Sequence, residues 1–115
     1  MVDTRKIVIN ALKQLELPVL HEHFLTKQSE LPCITYRPVE DVQGLTGKEL
    51  MYSNIHYNIK VWAKSIKDLT EISNKIDKVM RSIGFTRTST TESWAGEIGQ
   101  YELRYKAKAL EIMEV

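Results

Sequence analysis

Cysteine is nearly missing from this chain. Cys33 stands alone among 115 residues, so an internal disulfide framework is excluded and a reducing compartment is the natural setting. Long apolar runs are missing as well. Ile7-Val8-Ile9 and Val61-Trp62-Ala63 fall far short of the roughly 18 residues that a membrane-spanning helix needs. No charge of one sign dominates. Sixteen Lys and Arg against 15 Asp and Glu leave a net charge of +1, which removes bulk electrostatics as an argument for nucleic acid or an anionic membrane. Met1-Val2-Asp3-Thr4-Arg5-Lys6 has no apolar h-region, so no secretory signal is expected. There is no low-complexity tract, linker or internal repeat. What is present is 43% hydrophobic and 27% charged, proportions that suit a folded core and argue against disorder. The length fits one domain, so residues 1–115 are expected to form a single small soluble domain of cytosolic type.

The periodicity predicts two helices. Ile7, Val8, Ala11, Leu12 and Leu15 make one apolar stripe, with Asp3 or Thr4 as cap and Pro18 as limit. The second begins at Ser65 with Asp68 three residues on, close to a capping box. It carries a stripe of Ile66, Leu69, Ile72, Ile76, Val79, Met80 and Ile83, and stops at Gly84. Strands are expected over Val19–Phe24, over Leu31–Tyr36 ending at Pro38, over 51–63 and in the Thr-rich run from Phe85 to Thr91. A turn from Glu92 to Gly99 then leads to a final strand. Its inward face is Tyr101, Leu103, Tyr105, Ala107 and Ala109; its outward face is Gln100, Glu102, Arg104, Lys106 and Lys108. In the 51–63 strand Ile55, Tyr57, Ile59, Val61 and Ala63 alternate with Asn54, His56, Asn58, Lys60 and Trp62. Residues 38–50 hold two glycines and no period, and read as a long loop of the kind that carries function. The sum is an α+β domain of order α-β-β-β-α-β-β, with two helices covering one face of a mostly antiparallel sheet.

Several constellations invite chemistry. His21-Glu22-His23 would place two imidazoles on one side of a strand, near enough to Cys33 or His56 for a metal, but three or four converging ligands are needed. A partly exposed strand edge is the plainer reading, and no metal is expected. Cys33 as a nucleophile would need a base and an electropositive pocket that nothing supplies, so a buried structural cysteine is expected. Gly44-Leu45-Thr46-Gly47-Lys48 has the look of a nucleic-acid-clamping GxxG loop, yet it lies between strands instead of helices. Arg104, Lys106 and Lys108 form a basic row that fits a solvated face or a protected edge, with phosphate contact as the other reading. Trp62 lies on the outward face between Lys60 and Lys64. Either the second face is covered within the monomer or Trp62 anchors a subunit contact. Trp94, in the Ser93-Trp94-Ala95-Gly96 turn, poses the same question. There is no P-loop, dinucleotide fingerprint or GxSxG, and no catalytic or cofactor residue is expected.

The layout resembles a known family. Leu31-Pro32-Cys33-Ile34-Thr35-Tyr36 is similar to that family's "fPyity" strand, and Tyr52–Ser65 is similar to its "h-y-i-dvwsks" segment. A helix ending in Met80-Arg81-Ser82-Ile83-Gly84-Phe85-Thr86-Arg87-Thr88 and the closing Tyr101–Ala107 complete a likeness over about residues 3–110. The family is that of the small tail-terminator, or tail-completion and head-to-tail joining, proteins of long-tailed phages and prophages. The resemblance implies an α+β subunit that assembles into a ring, usually a hexamer. The ring would cap the tail tube and dock onto the head-completion or connector protein, with DNA only as passing cargo. The implied location is the virion's tail–head junction, and the bacterial host cytoplasm during assembly. It further implies contacts to ring or tube from the long loop, here Val42, Gly44, Leu45, Gly47 and Lys48, to which Trp62 and Trp94 are added as candidate anchors. No membrane partner is expected. The alternative is a small nucleic-acid-binding module using the Gly44–Lys48 loop and the basic last strand; an enzyme using Cys33 or the histidines is a third possibility.

Overall fold

In the computed structural model, residues 4–25, 30–39 and 54–108 are described. Within them the order is a helix, three strands, a helix and two strands, the α+β arrangement that the periodicity implies. The first helix, α1, spans Thr4–Lys13 and buries Ile7, Val8, Ala11 and Leu12. It ends earlier than Pro18 requires. Tight turns follow, with the amides of Gln14, Leu15 and Glu16 bonded to the carbonyls of Ala11, Leu12 and Lys13. Glu16 then takes a left-handed conformation, φ 58°. That residue, not the proline, redirects the chain.

Strand β1 is short, Val19–His21, because Glu22–Phe24 coil into a single 3-10 turn instead of extending. Strand β2 runs Cys33–Val39 and includes Pro38, which was expected to end it. The parallel pairing of β1 with β2 stops at His21 opposite Tyr36. Beyond that point β2 is an edge on that side, where a missing N–H breaks no ladder bond. Strand β3, Asn54–Ala63, pairs antiparallel with β2 from Ala63's neighbour Trp62, opposite Cys33, to His56, opposite Val39.

Helix α2, Ile66–Ser82, starts where Ser65 accepts a bond from the Asp68 amide, as the spacing predicts. It buries Leu69, Ile72, Ser73, Ile76 and Met80. Ile66 does not join the stripe: it is 59% exposed, one turn too early to reach the sheet. At the other end the Phe85 amide reaches the Met80 carbonyl and the Gly84 amide reaches that of Arg81. With Gly84 at φ 100°, this is the paired-bond C-terminal motif that favours glycine.

Strand β4 spans Thr86–Ala95 and β5 spans Ile98–Lys108. The turn predicted over Glu92–Gly99 is much tighter. Glu92–Ala95 continue the strand, and only Gly96 and Glu97 separate it from Ile98, with Gly96 at φ 63°. Ala109, assigned to the last strand, lies outside the described residues. The sheet order is β1-β2-β3-β5-β4, antiparallel except for the β1–β2 pair.

Both helices lie on one face. The core there joins α1 and α2 to Ile34, Tyr57, Ile59, Val61, Leu103, Tyr105 and Ala107. Burying such side chains is worth about 1.5–3 kcal/mol each, which makes this face the main source of stability. Two polar links tie the helices down. Thr4 Oγ1 lies 2.9 Å from the Tyr57 hydroxyl, and the Tyr105 hydroxyl donates to Asp77 Oδ1 at 3.0 Å. Among the described residues no helix covers the other face.

Candidate functional site

The helix-free face is a grid set by strand register. Across β2, β3 and β5 its rows read Cys33-Trp62-Gln100, Thr35-Lys60-Glu102, Arg37-Asn58-Arg104 and Val39-His56-Lys106. Each row is one pleat step from the next on the same side, so the side-chain order is fixed by the backbone.

Trp62 opens this grid. Its indole N–H donates to Thr35 Oγ1 at 2.9 Å, diagonally across the ladder, and the Lys60 ammonium lies 5.8 Å from the ring centroid. The ring is therefore half-buried against its own sheet, and it shields two fully buried neighbours, Cys33 and Thr35. The second face is covered locally by Trp62 itself, while the outer side of the indole stays accessible. Burial pushes the Cys33 thiol above its usual range, which fits a structural cysteine and suppresses the reactive thiolate.

A charge relay crosses the middle of the grid. Glu22, held on the 3-10 turn, bridges Lys60 Nζ through Oε1 and Arg37 Nε through Oε2, the latter at 3.1 Å. Lys60 also lies 3.7 Å from Glu102, which in turn holds Arg104 Nε at 2.9 Å. Cation and carboxylate alternate from β2 to β5. Glu22 was missed as a partner because it was assigned to a strand; its reach depends on the turn.

The histidine pair is not brought together as a ligand set. His21 closes β1, His23 lies in the turn, and the His23 amide donates to His21 Nδ1 at 3.0 Å. No group of three or more His, Cys, Asp or Glu side chains able to hold a metal occurs among the described residues. His21 instead packs edge-on against Tyr36 and Phe24, leaving Phe24 67% exposed.

Trp94 belongs to β4, not to a turn, and lies on the helix side. Its ring covers Gly99, its pairing partner on β5, and its indole N–H donates to Glu92 Oε2 at 2.7 Å. It is 40% exposed. Trp62 and Trp94 thus stand on opposite faces and do not form one anchor. Val42, Gly44, Leu45, Gly47 and Lys48 lie outside the described residues. Of the basic row, Arg104 and Lys106 are exposed, Arg104 with its guanidinium engaged by Glu102. No known family model matches the chain, and no curated protein is significantly similar to it.

Proposed function

We propose that this chain is a structural assembly protein of a long-tailed phage or prophage. It works by forming a ring that caps the tail tube and joins it to the head connector. The motif resemblance supports this reading, and the hexameric ring number comes from that resemblance alone. One observation carries the surface: among the described residues no helix covers one face of the five-stranded sheet, and an indole lies on that face. Tryptophan combines large contact area with low entropy cost on ordering, which makes it an effective anchor for a neighbouring subunit. The exposed edge strand β4 adds a row of backbone groups that another chain can pair with. This is contact work and requires no catalytic residue.

Electron microscopy of the purified protein mixed with tail tubes tests the reading. Rings, or added density at one tube end, support it, and loss of that density in a folded Trp62→Ser variant assigns Trp62 to the contact. A protein that ignores tubes and instead shifts nucleic acid in a salt-dependent way favours the alternative, a nucleic-acid-binding module using Gly44–Lys48 and the basic last strand.

A further inference from the structure

The basic end of the helix-free face has a use beyond sheet packing. Arg37, Asn58 and Arg104 lie in one row across β2, β3 and β5. With Val39, His56 and Thr88 they line a shallow groove. The two arginines are two strand spacings apart, about 10 Å at the backbone, with the Asn58 amide between them. Each guanidinium is steadied from behind by a carboxylate at Nε, Glu22 at 3.1 Å and Glu102 at 2.9 Å. Their terminal amino groups remain for another acceptor, since a guanidinium offers five donors in a fixed fork. Both side chains are about half exposed, 51% and 55%. Across the described face Arg37, Lys60, Arg104 and Lys106 outnumber Glu22 and Glu102, leaving an excess of two cations on this face.

We propose that this groove binds a carboxylate from an acidic segment of a partner protein, held in the arginine forks with Asn58 as an added donor. Planar carboxylates match the guanidinium fork, and charge-assisted bonds of this kind are the strong ones. The arrangement disfavours a polynucleotide. Trp62, the largest aromatic ring on the described part of this face, is separated from the groove by the Thr35-Lys60-Glu102 row. A strand stacked on Trp62 would carry its phosphates past Glu22 and Glu102, where like charge repels them. A single carboxylate faces the same repulsion at one point only, where the planar guanidinium fork opposes it. The site belongs to the chain itself and does not depend on ring formation.

Fluorescence anisotropy at low salt provides the test, using the purified chain and a fluorescein-labelled peptide of alternating Glu and Ser. Saturable binding is expected, weakened at least about tenfold in the Arg37→Gln/Arg104→Gln double variant, roughly 1.4 kcal/mol. The Asn58→Asp variant keeps both arginine–glutamate pairs and is expected to lose binding equally, while circular dichroism checks that each variant is folded. A Lys13→Gln/Lys67→Gln control removes two exposed charges on the helix side and should bind as the parent does. Absence of saturable peptide binding overturns the proposal, as does equal loss in the control. Tighter binding of an oligothymidylate, lost in the double variant, overturns it in favour of nucleic acid. None of these outcomes bears on whether rings form at tube ends.

Discussion

The indole of Trp94 lies so closely over Gly99 that a Cβ there would sit 2.7 Å from ring atom Cη2 and 2.8 Å from Leu69 Cδ1. Gly99 is where β5 leaves the hairpin turn, and α2 places Leu69, fully buried, against the same position. Leu69 cannot retreat, whereas Trp94 can swing outward. Gly99→Ala is therefore expected to cost about 1–3 kcal/mol as an overpacking substitution and to expel the indole. In a Trp62→Phe background, thermal melts should show lower stability and Trp94 emission should shift to the red. Unchanged melting with unshifted emission would show that the ring does not rest on Gly99.

Trp62 serves fold and surface at once, and two substitutions separate these duties. Trp62→Phe keeps most of the apolar area but removes the donor to Thr35 Oγ1, whose residue is fully buried. The expected loss is about 1 kcal/mol, in the range for one intramolecular hydrogen bond. Trp62→Ser also removes the area over Cys33 and Thr35 and should cost more. Urea unfolding measures both. A Phe variant as stable as the parent would mean that the indole bond contributes nothing.

Tyr105 predicts alkaline behaviour. Burial, followed by the Asp77 carboxylate that accepts its hydrogen bond, holds the phenol far above its ordinary range. The folded pKa is raised, so the phenol's contribution is complete below the unfolded value near 10. As pH climbs past that value, the unfolded chain gains by ionising while the native phenol stays protonated. Stability should then fall by about 1.4 kcal/mol per pH unit from this residue. Tyr105→Phe should remove this slope and lower neutral-pH stability by about 1.5–3 kcal/mol, the range for a bond to a charged group. Urea midpoints between neutral and strongly alkaline pH check both; a slope unchanged in the Phe variant contradicts the assignment.

The fold was largely legible, and the reasons are local. Ser65 with Asp68 marked the start of α2, Gly84 marked its end, and the alternation from Ile55 to Ala63 chose the core face of β3. Tertiary effects hid the remainder. Pro38 stays in β2 because β1 is too short to reach it, a fact that no local pattern contains. The sequence reads Trp94 as part of a Glu92–Gly99 turn, because two glycines, Gly96 and Gly99, close that stretch. Gly99 is in fact a seat for the ring, and Gly96 alone supplies the turn. Of the candidate site, Trp62 was legible from its position out of phase with the apolar set. The ion pairs of Glu22 with Lys60 and Arg37 were not, since they join residues far apart in sequence through a 3-10 turn.

Cys33 offers a final prediction, one that reports on how the helix-free face opens. It is fully buried at the start of β2, directly across the ladder from Trp62, and burial raises its thiol pKa. Thiolate is the reacting species, so both access and ionisation oppose modification in the native state. Reaction with a disulfide reagent at mildly alkaline pH should therefore be slow and should follow the population of an opened form, not the intrinsic thiol rate. Mild denaturant should accelerate it with a slope that reports the surface exposed on opening. If a local opening that lifts Trp62 suffices, Trp62→Ser should speed the reaction by more than its loss of global stability explains. If global unfolding is required, the two changes should match. Full-speed modification in native buffer would contradict the buried placement of Cys33, and with it the role of Trp62 as its cover.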